Sequence, residues 1–379
     1  MSLRLLTAGE SHGPELVAVV EGLPAGVPVS SEPIDRELER RRGGHGRGAR
    51  STRIERDHAQ LVSGVADGLS TGAPIALRII NRDHANQPAT LPPITTPRPG
   101  HADLAGHQKY GLADLRLVRE RASARETAAR VAAAALARSL LAKCGLEVGS
   151  FVTRIGGEAV EPDLARARPA QLRRWAAAAE GSPVRCYDAA TSKRMIAEVD
   201  RAREDRQTLG GTFVCFALGV PPGLGSHVHW DRRLDGLLAQ AICSIPAVKG
   251  VEFGPAFEVA GLPGTSAQDP IHRTRGGIAR ASNHAGGLEG GMTNGEPLVL
   301  RAAMKPLSST RAEVESVDLR TGVRADPPYI RSDICAVPAA AVVGEAMLAW
   351  VMAQALLERY GGDRLDAILA ARQAEGDRA

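Results

Sequence analysis

The longest apolar stretch of the chain, residues 338–357, is interrupted by a single charge, Glu345. That pattern predicts a helix buried in a folded core rather than a membrane span. A second helix is expected over 123–144. Ser123 and Glu126 stand at capping-box spacing, the body is rich in alanine, and Gly145 follows the end. Shorter helices are predicted over 35–42, with Pro33 near the start and Gly43 at the end, over 169–180, and over 231–244 with Asp231 as cap. A last helix follows from Asp363. Strands are expected over 3–8, 212–220 and 297–304, and 86–101 and most of 261–295 read as loop. Helices and strands intersperse without a regular βαβ rhythm, which predicts an α+β fold. No repeat or linker divides residues 1–379, so one domain is expected.

Net charge is only +4, too little to imply a nucleic-acid partner by itself. Five of the 47 basic residues are lysines, so nearly all positive charge is arginine, whose planar fork suits carboxylate and phosphate. The cysteines, at 144, 186, 215, 243 and 335, are odd in number and widely spaced. That predicts a reducing, cytoplasmic setting and neither a disulfide framework nor a structural zinc site. The first residues have no secretory-signal pattern.

Several segments carry chemistry. Gly9-Glu10-Ser11-His12-Gly13 ends the first strand and sets a hydroxyl beside an imidazole on a glycine-bounded turn. Residues 41–53 combine Arg41, Arg42, Arg47, Arg50 and Arg53 with glycines at 43, 44, 46 and 48, a pattern suited to a small polyanion. Arg98-Pro99-Gly100-His101-Ala102-Asp103 places a second histidine in a rigid turn, where it can act as a general acid; His107 is a nearby competitor. Arg121-Ala122-Ser123 precedes a helix start, a seat for phosphate. Glycines 286, 287, 290 and 291, and the run Lys305-Pro306-Leu307-Ser308-Ser309, let a planar or phosphorylated ligand lie against main chain, without a Rossmann or P-loop context. Arg331-Ser332-Asp333 precedes the long apolar helix, and Asp333 can orient a catalytic group. His227-Val228-His229 is read as two imidazoles on one strand face without a third ligand, so no metal site is expected.

Taken together, GESHG at 9–13, RPGHAD at 98–103, RASARET at 121–127, GGLEGGMTNG at 286–295 and RSDICAVPAA at 331–340 resemble the chorismate synthase family, in the family's order. VKGVEFG at 248–254 and SNHAGG at 282–287 add to the resemblance, which spans essentially the whole chain. It implies a helical layer sandwiched between two antiparallel sheets, assembled as a homotetramer. It implies an anti-1,4-elimination of phosphate and a C6 hydrogen from 5-enolpyruvylshikimate 3-phosphate. Reduced FMN would be required without net redox change, in the final step of the shikimate pathway toward aromatic amino acids.

Carried over residue by residue, the resemblance makes His12, His101, Asp333 and Ser11 catalytic. His12, with Ser11, would keep the flavin correctly protonated, and His101 would assist the leaving group. Asp333 would tune the flavin side, and flavin N5 would receive the C6 hydrogen. Arg41, Arg47, Arg50, Arg98 and Arg125 would hold the substrate. FMN would touch Arg121, Ala122, Ser123, Pro246, Ala247, Gly290, Lys305, Pro306, Leu307, Ser308, Ser309 and Arg331. Arg41 and Arg47 also match positions that the family assigns to NADP. Pro246 and Leu307 depart from the family's usual amide and small hydroxyl, removing a side-chain donor at each. With no further domain in sight, an external flavin reductase is the expected source of electrons. An RNA-binding protein would have to use residues 43–53, against few aromatics and low net charge, and a flavin reductase needs a nicotinamide site that the sequence lacks.

Overall fold

The computed structural model describes residues 3–48, 56–86, 91–274, 277–312, 314–328 and 332–376. Two antiparallel sheets enclose a layer of helices. The first sheet has the order β1-β2-β6-β3, from β1 (Arg4–Ala8), β2 (Glu15–Glu21), β3 (Ala59–Leu61) and β6 (Ile75–Ile80). A small ribbon, β4 (Val65–Ala66) and β5 (Leu69–Ser70), precedes β6. Burial alternates along β2 and β6, so one face packs on helices and the other meets solvent.

The second sheet has the order β10-β15-β9-β7-β8. Its strands are β7 (Glu147–Ile155), β8 (Glu158–Ala159), β9 (Gly211–Leu218), β10 (Val248–Phe253) and β15 (Leu298–Met304). Here β9 and β15 are buried almost throughout, because both faces are covered. Phe151, Val214, Phe216 and Val299 pack on the outer side against Leu172 of α5 (Pro169–Glu180).

Between the sheets lie α1 (Ser31–Arg42), α4 (Thr127–Lys143) and α10 (Val337–Tyr360). Helix α4 packs on β2 and β6, α10 packs on β7 and β9, and the two helices pack on each other. Alanines at 128, 129, 132–135 and 137 are all buried, and small side chains allow that close three-layer approach. Helix α10 is long and apolar enough to cross a bilayer, yet the protein itself buries 94% of its most apolar window. Glu345, 1% exposed at its centre, is held by Arg40, Arg138, Arg185 and the Ser150 hydroxyl. Burial raises this carboxyl, but the surrounding guanidinium groups outweigh it and hold it well below the usual range.

The remaining helices are α2 (Asp103–Tyr110), α3 (Leu115–Ala122), α6 (Ala189–Glu204), α7 (Leu234–Cys243), α8 (Ala256–Val259), α9 (Gly264–Ala267) and α11 (Leu365–Gly376). Two hairpins complete the fold: β11 (Ile271–Thr274) with β12 (Gly277–Arg280), and β13 (Leu288–Glu289) with β14 (Met292–Thr293).

The expected α+β sandwich is observed; several boundaries are corrected. The helix expected over 123–144 is split. Ser123 closes α3 and caps a 3-10 turn, Ala124–Glu126, by accepting from Arg125 N at 3.3 Å, and α4 begins only at Thr127. Glu126 does not complete a capping box: its carboxylate accepts from Thr7 Oγ1 and Arg130 Nε instead. Asp231 does not cap α7, because it pairs with His229 Nδ1 at 2.6 Å inside a 3-10 turn, Trp230–Arg232. Residues 227–229 therefore lie in bends, not on a strand. The first helix starts at Ser31, and 261–295 holds two hairpins and α9 where loop was expected.

Candidate functional site

The turn after β1 is fastened to the far end of α3. Asp114 starts that helix by accepting from Arg116 N, and Glu120, Arg121 and Ser123 at its other end all face the turn. Glu120 accepts from His12 at both carboxylate oxygens: Nδ1 at 2.7 Å and the backbone N at 2.6 Å. Its carbonyl accepts from Ser11 N at 3.1 Å, and Ser123 Oγ donates to Ser11 Oγ at 3.1 Å. Arg121 donates to the carbonyls of Thr7 and Gly9. From the other side Asn81 Nδ2 donates to the carbonyls of Ser11 and Gly13, and His84 donates to that of His12. Gly9 is required at the strand end, with φ +103 and the Glu15 carbonyl 2.4 Å from where a Cβ would stand.

The second histidine is built on a buried carboxylate. Asp103, wholly buried at the start of α2, accepts from His101 Nδ1 at 2.6 Å, Arg98 N at 2.9 Å and Arg119 Nε at 2.8 Å. Burial by itself raises the Asp103 carboxyl, but hydrogen bonds from His101 and Arg98 outweigh it and hold the group well below the carboxylate range. Adjacent residues of α3 thus serve the two turns: Arg119 reaches Asp103, and Glu120 reaches His12. Helices α2 and α3 are in contact through Gly106, whose absent Cβ would lie 2.4 Å from Val118 Cγ1.

The run 305–309 closes on the second turn. Arg98 Nη1 donates to Ser309 Oγ at 2.7 Å, and Lys305 Nζ donates to the Gly100 carbonyl at 3.1 Å. Ala247 has φ +68, in the left-handed region, and its carbonyl accepts from Lys305 N at 2.9 Å, which sets 246–247 beside the run. An ammonium, hydroxyls and exposed main chain on a glycine turn form a donor set that fits a phosphorylated cofactor. Leu307 contributes its carbonyl, which accepts from Thr208 Oγ1. Gly290 stands beside His227, and the next residue, Gly291, lies against Arg233, just ahead of α7.

The arginines are held internally. Arg41 donates to Thr127 Oγ1 and the Ala124 carbonyl, and Arg125 forms a two-pronged pair with Asp57 at 2.5 and 2.7 Å. Burial raises Asp57, and the hydrogen bond from Arg125 overrides it and lowers the carboxyl. Arg47 donates to Asp333 Oδ2 at 2.6 Å, and Gly48 N donates to Oδ1 at 2.6 Å, so Asp333 clasps the glycine loop. Next to it, burial pushes the Cys335 thiol up to about 12, which keeps it protonated near neutral pH. Arg50, Arg53 and Arg331 lie outside the described residues. A cleft of about 670 Å³ runs along α1 past Arg42, Arg56 and Asp57, and its lining includes neither histidine.

Sequence reasoning assigned no part to Glu120 or Arg119. Each is one charge among several in a charged helix, and Glu120 meets His12 across 108 positions, so no local pattern marks it. Asp103 was visible two residues from His101, but not its role as a shared acceptor.

The sequence model described as chorismate synthase matches residues 3–357. The chain is 52% identical over 378 residues to a chorismate synthase of Desulforudis audaxviator, covering 97% of this chain and 95% of that protein. It is 53% identical over 381 residues to that of Moorella thermoacetica, covering 97% and 96%. A solved structure titled as the crystal structure of chorismate synthase superposes with a TM-score of 0.83 at 42% identity, covering 100% of this chain and 98% of that one.

Proposed function

The chain belongs to the chorismate synthase family, and on that premise we propose that it converts 5-enolpyruvylshikimate 3-phosphate to chorismate. The observation that carries the reading is the shared anchorage of two imidazole turns by the last turn of α3, with cationic and hydroxyl donors gathered beside them. Phosphate leaves with its bonding electrons while the C6 hydrogen departs from the opposite end of the allylic system, so a new double bond forms with no net oxidation. Reduced FMN, when bound, supplies an electron-rich ring and an acceptor for that hydrogen.

The protein's own groups do the rest. Arg98, Arg47, Arg125, Arg41 and Arg50 would supply positive charge for the carboxylates and the departing phosphate. His101, its Nδ1 proton held by Asp103, donates the Nε2 proton of its imidazolium form to the leaving group. His12, with Ser11 and Ser123 alongside, maintains protonation at the flavin. Lys305, Ser308, Ser309, the main chain of 246–247 and the Arg121–Ser123 segment would hold the cofactor, with Pro306, Leu307 and Ala122 contributing backbone and Arg331 a cation. Asp333 orients the loop carrying Arg47. The protein works as a cytoplasmic homotetramer fed by an external flavin reductase; no NADP step is assigned to Arg41 or Arg47.

The test is phosphate release from the substrate under anaerobic conditions, with and without dithionite-reduced FMN. Turnover is expected only with reduced FMN, and flavin-independent release would refute the mechanism. His12→Ala and His101→Ala are each expected to lower turnover by roughly 10²–10⁴, the range for lost acid–base help.

A further inference from the structure

We infer that Glu120 is a positioning residue that fixes the tautomer and orientation of the His12 ring, an assignment resting on the reading of His12 as a working imidazole. Its two oxygens are used on one residue: Oε1 faces His12 Nδ1 at 2.7 Å and Oε2 faces the His12 backbone N at 2.6 Å. A backbone N–H can only donate, so that contact sets the carboxylate plane, and the second oxygen then requires a proton on Nδ1. In the neutral ring this makes Nε2 the basic nitrogen. The carboxylate is itself held in place. Its side chain is only 17% exposed, its own carbonyl accepts from Ser11 N, and its neighbours Arg119 and Arg121 are anchored to Asp103 and to the Thr7 and Gly9 carbonyls. Turn and helix therefore meet in one registered contact with little freedom to rotate the ring.

Glu120 comes from α3, His84 lies on the far side against the His12 carbonyl, and Arg121 crosses behind the turn.

Glu120→Gln separates this role from simple packing. An amide of the same size offers one oxygen and one NH2. The fixed backbone donor takes the oxygen, leaving the NH2 against Nδ1, and the ring must move its proton to Nε2 to accept. The variant is expected to invert the tautomer rather than loosen it.

The experiment is nitrogen-15 NMR of ring-labelled protein, with the His12 signals identified by their loss in His12→Asn, beside steady-state kinetics. Wild type is expected to show Nδ1–H and Glu120→Gln to show Nε2–H. The variant's kcat is expected to fall roughly 10–100-fold, part of the 10²–10⁴ of full acid–base loss, with KM and oxidised-FMN affinity within about twofold. A wild-type ring protonated on Nε2, or an unchanged tautomer and kcat in Glu120→Gln, would overturn the inference. The NMR readout needs no turnover, so an enzyme that proves independent of reduced FMN would refute the proposed reaction and leave this assignment standing.

Discussion

The two histidine turns solve one problem in opposite ways. His101 is gripped by a carboxylate two residues away, wholly buried and shared with Arg98 and Arg119. His12 is gripped by a carboxylate 108 residues away, near the surface, with 33% of the imidazole side chain exposed. In the first turn the anchor is also a structural keystone, so function and stability are the same bonds. In the second the anchor's carboxylate holds a single residue, through the ring and the backbone N–H of His12. Acid–base geometry can thus be built into a core or added at its edge, and the two arrangements should fail differently.

The largest difference should come from Asp103→Ala. It leaves two buried guanidinium groups and an imidazole without their common acceptor, and breaking a buried pair in this way costs about 3–5 kcal/mol. Urea unfolding would measure it. The pH dependence has a definite sign. The folded carboxyl lies below its ordinary value, so the unfolded chain binds the proton first. The contribution of Asp103 is complete above about pH 3.9 and is lost as the pH falls further. The stability gap between wild type and Asp103→Asn should narrow in acid and stay flat near neutrality.

Next in size is Gly106→Ala, which acts on both turns through the contact between α2 and α3. The added methyl would press 2.4 Å from Val118 Cγ1, and overpacking of this kind costs about 1–3 kcal/mol. Because α3 carries both anchors, kcat should fall with it; a fall in stability alone would show that the turns are not mechanically joined. Ser123→Ala removes both the cap on Arg125 N and the bond to Ser11 Oγ, with an expected loss of about 0.5–2 kcal/mol by thermal unfolding. Smallest in stability is Glu120→Gln. The glutamine keeps an acceptor for the His12 backbone N, and exchanging the remaining, partly exposed contact costs about 0–1 kcal/mol, so the melting temperature should scarcely move while turnover drops.

Much of this was legible in the chain. The α+β class, the buried 338–357 helix with its lone Glu345, and both histidine turns follow from pattern and glycine placement. The 123–144 helix was legible as helix but not as two pieces, because Ser123 has to end one helix while starting the next turn. Asp231 looked like a cap because its competing partner, His229, is invisible to a periodicity argument. The β11–β12 hairpin was missed since every residue of β11 is exposed and no alternation betrays it. What the sequence cannot display is convergence: Arg119 and Glu120 are neighbours in the chain, yet their partners, Asp103 and His12, are 91 positions apart.

The most direct test is a double-mutant cycle on kcat between Glu120→Gln and His12→Ala, measured anaerobically with reduced FMN. If Glu120 acts through the imidazole, the glutamine costs turnover in wild type and nothing further once the ring is gone. Equal losses in the two backgrounds would mean that this carboxylate supports the site by some other route, and that the contrast between the two turns is wrong.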